Sequence, residues 1–344
     1  MIYETVELHN VEEITHISDQ VISVQRVPEH IRQILNPRAQ LQSLMPANVE
    51  LRFIMIDEEA RITLSAESET PLSVFFGNYL HKESLTITTE PQTFLIRPFD
   101  RHKLFRTSLT VDSGFSLDVV RLVFGLNQPE MPRLFIHDIA MANVRPPTPQ
   151  NLPEIRYIAY GTSITQGYSA SRPHLSWVSL VAQALNADLI NLGMGGSAYC
   201  EKELADYIAG RTDWDIATLG LSVNMVALFS AEDFEARVTY LINTIANSNP
   251  NRSIVCITLF PYFRDLDEQE NWKSNTFRDI VRHVVADCPH DNVHLVEGTD
   301  LLPAFSGLTD DILHPSDLGM ITIAQNLLPT MRKLLSKDTP ISRH

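Results

Sequence analysis

Cysteine is nearly absent from this chain. The three present in 344 residues, Cys200, Cys256 and Cys288, are odd in number and lack Cys-x-x-Cys spacing, which argues against a disulfide framework and a thiolate metal cage. A reducing, cytoplasmic location is the expectation that follows, with Cys256 a small core residue inside the apolar run Ile254 to Leu259. Positive charge is short as well: 27 Lys and Arg against 42 Asp and Glu leave a formal net charge of −15. Binding nucleic acid requires basic surface to displace its counterions, so no nucleic-acid partner is expected, and polyanionic substrates are disfavoured. No apolar run approaches the ~20 residues of a membrane-spanning helix, and the opening Met1 to Asn10 lacks the basic start and apolar stretch of a secretion signal. Neither His-Glu-x-x-His nor Gly-x-Gly-x-x-Gly occurs, so no metal and no cofactor are expected.

What the chain does have is length and apolar content. With 344 residues, 44% of them hydrophobic, it can bury two cores, and its grammar changes near Arg145-Pro-Pro-Thr-Pro149-Gln-Asn-Leu-Pro153. That proline cluster reads as a stiff connector, residues 145–153, between an accessory domain over 1–144 and a catalytic domain over 154–344. Before it, alternating segments predict strands over Val49 to Ile54, Arg61 to Ser65, Leu72 to Phe76, Ser84 to Thr88, Thr93 to Ile96, Leu117 to Phe124 and Leu134 to Ile139. Their spacing predicts an all-β sandwich of the jelly-roll kind, with one helical stretch over Glu29 to Leu44. After it, strands over Ile155 to Tyr160, Asp188 to Leu192, Ile216 to Leu219, Ser253 to Leu259 and Val293 to Val296 alternate with amphipathic stretches. The clearest helices are Trp177 to Leu185, Ala231 to Ala246 with Ser230 as its cap, Asn275 to Ala286, and a pattern from Leu318 to Leu334. The fold class is therefore α/β, a three-layer parallel sheet with right-handed crossovers, preceded by a β-sandwich.

Gly161-Thr162-Ser163-Ile164 follows the first strand of the second region and opens a helical pattern, a turn that presents a serine hydroxyl. Such a hydroxyl is a weak nucleophile unless a base takes its proton. Asp311-Ile-Leu-His314-Pro315 supplies an imidazole and, three residues earlier, a carboxylate, in the chain order Ser, Asp, His. The imidazole accepts the serine proton at one ring nitrogen, while the carboxylate accepts from the other and selects the tautomer. Pro315 biases His314 toward extended backbone, and Ser316 is placed to cap the next helix. Donors for a developing oxyanion are offered by Gly193-Met-Gly-Gly196 after the second strand and by Gly220-Leu-Ser-Val-Asn224 after the third. Both stand at carboxyl ends of strands, where an open parallel sheet has its ligand crevice. Singly, each block also reads as an ordinary turn or cap; the four together point to acyl transfer at a serine.

In that order the blocks resemble the SGNH hydrolase superfamily, the GDSL esterases and lipases, over roughly Glu154 to Leu335. The resemblance implies a flavodoxin-like three-layer fold and a serine esterase that works through an acyl-enzyme without metal or cofactor. Carried over by position, it implies Ser163 as nucleophile and first oxyanion donor, Gly196 as the second, Asn224 as the third, and Asp311 and His314 as orienting acid and base. The chain departs from the family at Thr162, where aspartate is usual, and at Ser222 and Met225, where Gly-x-Asn-Asp is usual. Gly193 and Gly195 also offer glycine; Gly196 is preferred because it precedes a polar residue, Ser197. A jelly roll ahead of such a domain resembles bacterial carbohydrate esterases, which implies a small acyl ester as substrate, an O-acetylated sugar foremost. A general short-chain carboxylesterase or lysophospholipase-like lipase is the alternative within the class, and an inactive carbohydrate-binding protein the alternative outside it. The sandwich is expected to pack beside the crevice and to shape access for the alcohol part of the ester. No membrane partner is expected, and the sequence leaves the oligomeric state open. Among lesser signals, Trp177 and Phe229 are candidates for an acyl pocket, although Trp177 shares a helical spacing with Val181 and Leu185 that favours a core position. Pro261 to Arg264 falls at the crevice end of the fourth strand, His283 on a helix surface, and Asp265 to Glu270 in a solvated loop.

Overall fold

The computed structural model describes residues 1–56, 59–83, 85–98, 114–125, 132–137 and 143–337. Two antiparallel sheets occupy the amino-terminal region. One runs in the order Ile2–Tyr3, Val6–His9, Glu50–Met55, Val119–Phe124, Thr70–Phe76 and Tyr79–Leu80, with Val144–Arg145 and Leu85–Ile87 added beside it. The other runs Gln92–Ile96, Ala60–Ala66, Leu134–His137, Val21–Gln25 and Glu13–Ser18. Leu8, Leu51, Phe53, Leu64, Val74, Phe76, Leu122 and Phe124 are fully buried between them, the inward half of each alternating strand. Every predicted strand of this region is present in its described part; Ser84 and residues 138–139 lie outside the described residues. The four strands before residue 26 carry too weak an alternation to have been read. The helical stretch over Glu29 to Leu44 is two short helices, Glu29–Arg32 and Pro37–Gln42, because Asn36 caps a new helix that Pro37 begins.

The second region is a five-stranded sheet, parallel throughout, in the order Ala187–Gly193, Ile155–Gly161, Ile216–Gly220, Ser253–Ile257 and Val293–Val296. Alternate residues feed opposite faces. Tyr157, Ala159, Leu189 and Val255 pack under the helices Trp177–Leu185 and Asp317–Lys337, while Ile158, Tyr160, Leu192 and Cys256 pack under Lys202–Gly210, Ala231–Ser248 and Asn271–Ala286. Helices on both faces make the three-layer α/β fold anticipated from the periodicity. Val27, Leu35 and Ala39, from the amino-terminal region, belong to the second of these cores.

The two regions are joined by more than the proline segment. Ala187–Gly193 is an edge strand, and its outward carbonyls are met by side chains rather than by another strand: His9 Nε2 donates to Leu189 O at 2.5 Å, Asn10 Nδ2 and Arg26 Nη1 to Asn191 O at 3.1 and 2.8 Å, and Arg26 Nη2 to Gly193 O at 3.0 Å. Arg52, with no side-chain exposure, grips Asp188 with both Nη atoms at 3.0 and 2.6 Å and Glu50 through Nε at 2.7 Å. Burial opposes ionisation of Glu50 and Asp188, but the neighbouring guanidinium groups, Arg121 and Arg52 beside Glu50 and Arg52 beside Asp188, override it and hold both carboxyls below the usual range. Arg52→Met should therefore leave two buried carboxylates short of a partner and cost about 3–5 kcal/mol. Denaturant unfolding should show this as a lower midpoint; a loss under about 1 kcal/mol would mean that the pair does not bind the regions together.

Candidate active site

Three glycines lie side by side across the carboxyl ends of adjacent strands, Gly193 paired in register with Gly161 and Gly161 with Gly220. A Cβ at Gly161 would stand 2.3 Å from Thr165 Oγ1 and 2.8 Å from Gly220 O, and one at Gly193 would stand 2.4 Å from Gln166 N. Their bareness lets the short helix Ser163–Gln166 rest directly on the sheet. Thr162 takes extended backbone ahead of it and accepts the Ile164 amide on its hydroxyl at 3.3 Å, and Gly167, at φ 96°, ends it. The missing family aspartate is thus replaced at this turn by a threonine cap, and Ser163 remains at the first helical position.

Ser163 Oγ lies 2.8 Å from His314 Nε2, and His314 Nδ1 lies 2.6 Å from Asp311 Oδ2. A carboxylate only accepts, so Nδ1 carries the proton and Nε2 is free to accept from the serine. Asp311 Oδ1 is occupied separately, accepting from the Thr309 hydroxyl at 2.9 Å and from the Leu313 and His314 amides at 2.8 and 2.9 Å. Partial burial raises the Asp311 pKa, but the His314 ring and these other donors outweigh it and bring it down to about 2. The turn between acid and base forces Ile312 to φ 50°, an unusual conformation for a β-branched residue. It is held there by the Ile312 amide donating to Thr309 O at 3.0 Å and by the Phe263 amide donating to Ile312 O at 2.8 Å. The Tyr168 ring packs against His314 with centroids 4.3 Å apart.

The hydrogen bonds already made within the glycine turn decide what it can offer. The amides of Gly193, Met194, Gly195, Ser197 and Ala198 donate to Asn191 Oδ1, Gly161 O, Gln166 Oε1, Met194 O and Asn224 Oδ1 respectively. Among the described residues the Gly196 amide has no acceptor, and the same holds for the Ser163 amide at the start of its helix. Asn224 has its Oδ1 committed to the Ala198 amide at 3.2 Å, which turns its NH2 away from that contact, and among the described residues that NH2 has no acceptor. Three bare donors therefore come from Ser163, Gly196 and Asn224. Ser222, where the family has glycine, keeps a glycine-like φ of 100°, and its buried hydroxyl has no partner among the described residues.

The sequence profile of the GDSL-like lipase/acylhydrolase family matches residues 154–332, just over half of the chain. The chain belongs to that family. Its reaction class is carboxylic ester hydrolysis. No curated protein matches it in sequence. Among solved structures, a salicylyl-acyltransferase from a tetracycline biosynthetic pathway is similar at TM-score 0.77 and 15% identity, covering 98% of this chain and 96% of that one. A family two carbohydrate esterase from Cellvibrio japonicus is similar at TM-score 0.62 and 13% identity, covering 97% and 96%. Another, from Clostridium thermocellum in complex with cellohexaose, gives 0.58 and 15%, covering 84% and 93%. At such identities these structures establish that the GDSL-like domain and the sandwich before it share a fold with them, and nothing finer.

The lesser candidates divide. Trp177 is fully buried under the parallel sheet and belongs to its core, whereas Phe229 is half-buried and pairs with Tyr199, whose hydroxyl donates to Gly196 O at 3.2 Å. Phe263 reaches the site by backbone through Ile312, and His283 is exposed on its helix. The acidic cluster is not simply solvated: Asp265 pairs with buried Arg278 at 2.6 Å, and Glu270 with Arg264 and Lys273, because that loop must be anchored to the following helix. Tyr168, Gln166 and Thr309 were missed. No local pattern marks them, since each acquires its role only when distant segments meet. Beside the triad opens a cleft of about 570 Å3, with Tyr168, Arg172, Asp310 and Asp311 on one wall and Glu69, Pro71 and Thr86, from the sandwich, on the other.

Proposed function

We propose that this protein is a serine esterase that removes short acyl groups, acetyl foremost, from a polar alcohol such as a sugar, through an acyl-enzyme on Ser163. His314 takes the serine proton and returns it to the leaving alcohol, Asp311 holds the imidazole tautomer, and the Ser163 and Gly196 amides with the Asn224 amide group receive the oxyanion. The observation that carries the substrate class is the polar cleft beside Asp311, walled by carboxylates and hydroxyls and shared with the sandwich. Hydroxyl-rich alcohols suit such a surface better than a lipid tail does, and the likeness to carbohydrate esterases agrees with it. Comparing acetyl, butyryl and octanoyl aryl esters with acetylated sugars should show the highest kcat/KM on acetyl esters of sugars. A preference for octanoyl esters, or no activity on acetylated sugars, would reject the sugar reading in favour of a general carboxylesterase. The likeness to an acyltransferase favours a second reading, transfer to an acceptor alcohol instead of water. Partition of product between acetate and acetylated acceptor, measured with added sugar, separates the two.

For the oxyanion site, Asn224→Ala should lower kcat by about 10²- to 10³-fold with little change in KM, the loss typical of one donor that acts in the transition state. An almost silent substitution would move the third donor elsewhere, with the unpartnered Ser222 hydroxyl next in line.

A further inference from the structure

The glycine turn is held from outside the catalytic region. Asn36 caps the helix Pro37–Gln42 with its Oδ1, which accepts the Arg38 and Ala39 amides at 3.1 and 3.0 Å. Its Nδ2 donates to Ser197 O at 3.2 Å and to Glu201 Oε2 at 3.0 Å, so the helix start is tied to the far side of the turn. Gln42, at the other end of that helix, accepts from Gln166 Nε2 at 2.7 Å, and Gln166 Oε1 receives the Gly195 amide at 2.9 Å. Between these anchors Arg38 Nε donates to Gly195 O at 3.0 Å.

That carbonyl and the Gly196 N–H are two ends of one planar peptide group. Electron density drawn toward the oxygen by a cation leaves the N–H a stronger donor, because hydrogen bonds in a chain polarise one another. The guanidinium lies where a side chain at 196 would begin, 2.6 Å from the position of a Cβ, so a larger residue there would displace Arg38, and the φ of 66° at Gly196 favours glycine. Arg38 is exposed, and among the described residues its side chain has no carboxylate partner, only the Gly195 carbonyl. We propose that Arg38 is a positioning residue which holds and polarises the Gly195–Gly196 peptide, making the bare Gly196 amide a stronger oxyanion donor. This rests on the reading of Ser163 as nucleophile and of Gly196 as a donor.

The test compares Arg38→Ala, Arg38→Lys, Asn224→Ala and Ser163→Ala on one aryl acetate, with Arg38→Ala also assayed in added ethylguanidinium. A polarising role predicts that Arg38→Ala lowers kcat about tenfold or more, short of the 10²- to 10³-fold loss typical of removing a donor outright, with KM nearly unchanged. It predicts further that Lys restores most of the rate and ethylguanidinium part of it. Unchanged kcat in Arg38→Ala while Asn224→Ala and Ser163→Ala lose activity would overturn the proposal and leave the catalytic reading standing. A rise in KM alone would also overturn it, as would a loss that neither Lys nor ethylguanidinium restores, which marks a structural contact. Silence of Ser163→Ala and Asn224→Ala would bring down the underlying reading and the proposal together.

Discussion

Ser163→Ala should lower kcat by about 10⁴- to 10⁶-fold, the range seen when a triad nucleophile is removed and only oxyanion donors and binding remain. The fold should survive, because the helix that carries Ser163 is started by Thr162, its neighbours Ile164, Thr165 and Gln166 are buried, and the glycine platform beneath is untouched. A fluorophosphonate should label Ser163 in the native protein and nothing in the variant, since its imidazole partner at 2.8 Å is itself held by a carboxylate, whereas no carboxylate is bonded to His137 beside Ser65 or to His174 beside Ser73 among the described residues. Turnover within tenfold of the native rate in a protein with unchanged circular dichroism would reject the triad.

Asp311→Asn should cost about 10⁴-fold in kcat, more than it changes KM. The geometry explains why an isosteric amide fails. Oδ1 accepts three donors, from Thr309, Leu313 and His314, so the amide oxygen must take that place and the NH2 must face His314 Nδ1. Nδ1 would then have to accept, the ring proton would move to Nε2, and the base would lose the lone pair that receives the serine proton. In the native protein Asp311, with its pKa brought down to about 2, stays ionised throughout the working range. Asp311 should therefore add no ionisation of its own to the pH profile of kcat/KM above about pH 4. Because the folded pKa lies below the unfolded one, the contribution of Asp311 to stability is present above about pH 4 and is lost as pH falls toward 2. A slope of two above pH ~4, or full activity in the asparagine variant, would contradict this assignment.

Legibility varied with the range of the interactions. The five parallel strands were read to within two residues at either end because their apolar runs are bounded by glycine and charge within a few positions. Ser163 and the Asp311–His314 pair were legible because each is a compact block whose chemistry is local. The helix Lys202–Gly210 and the first four strands escaped notice: the helix is short and mixed in polarity, Ile2–Tyr3 and Glu13–Ser18 bury almost nothing, Val6–His9 is only four residues long, and Val21–Gln25 is buried on both faces and so does not alternate. Asp265 was misread since its partner, Arg278, lies thirteen residues on, across a helix that propensity alone does not orient.

The sequence by itself determined the α/β order, the sandwich before it, the family, and the identity of serine, aspartate and histidine, because these follow from periodicity and from blocks a few residues long. Only the tertiary structure decided which of three neighbouring glycines carries a bare amide, how Asn224 is oriented, and that a helix from the amino-terminal region grips the turn between them. Those outcomes depend on where every competing donor finds its acceptor, and the acceptors come from segments up to about 160 residues away, joined through partly buried polar contacts that leave no periodic trace in the chain.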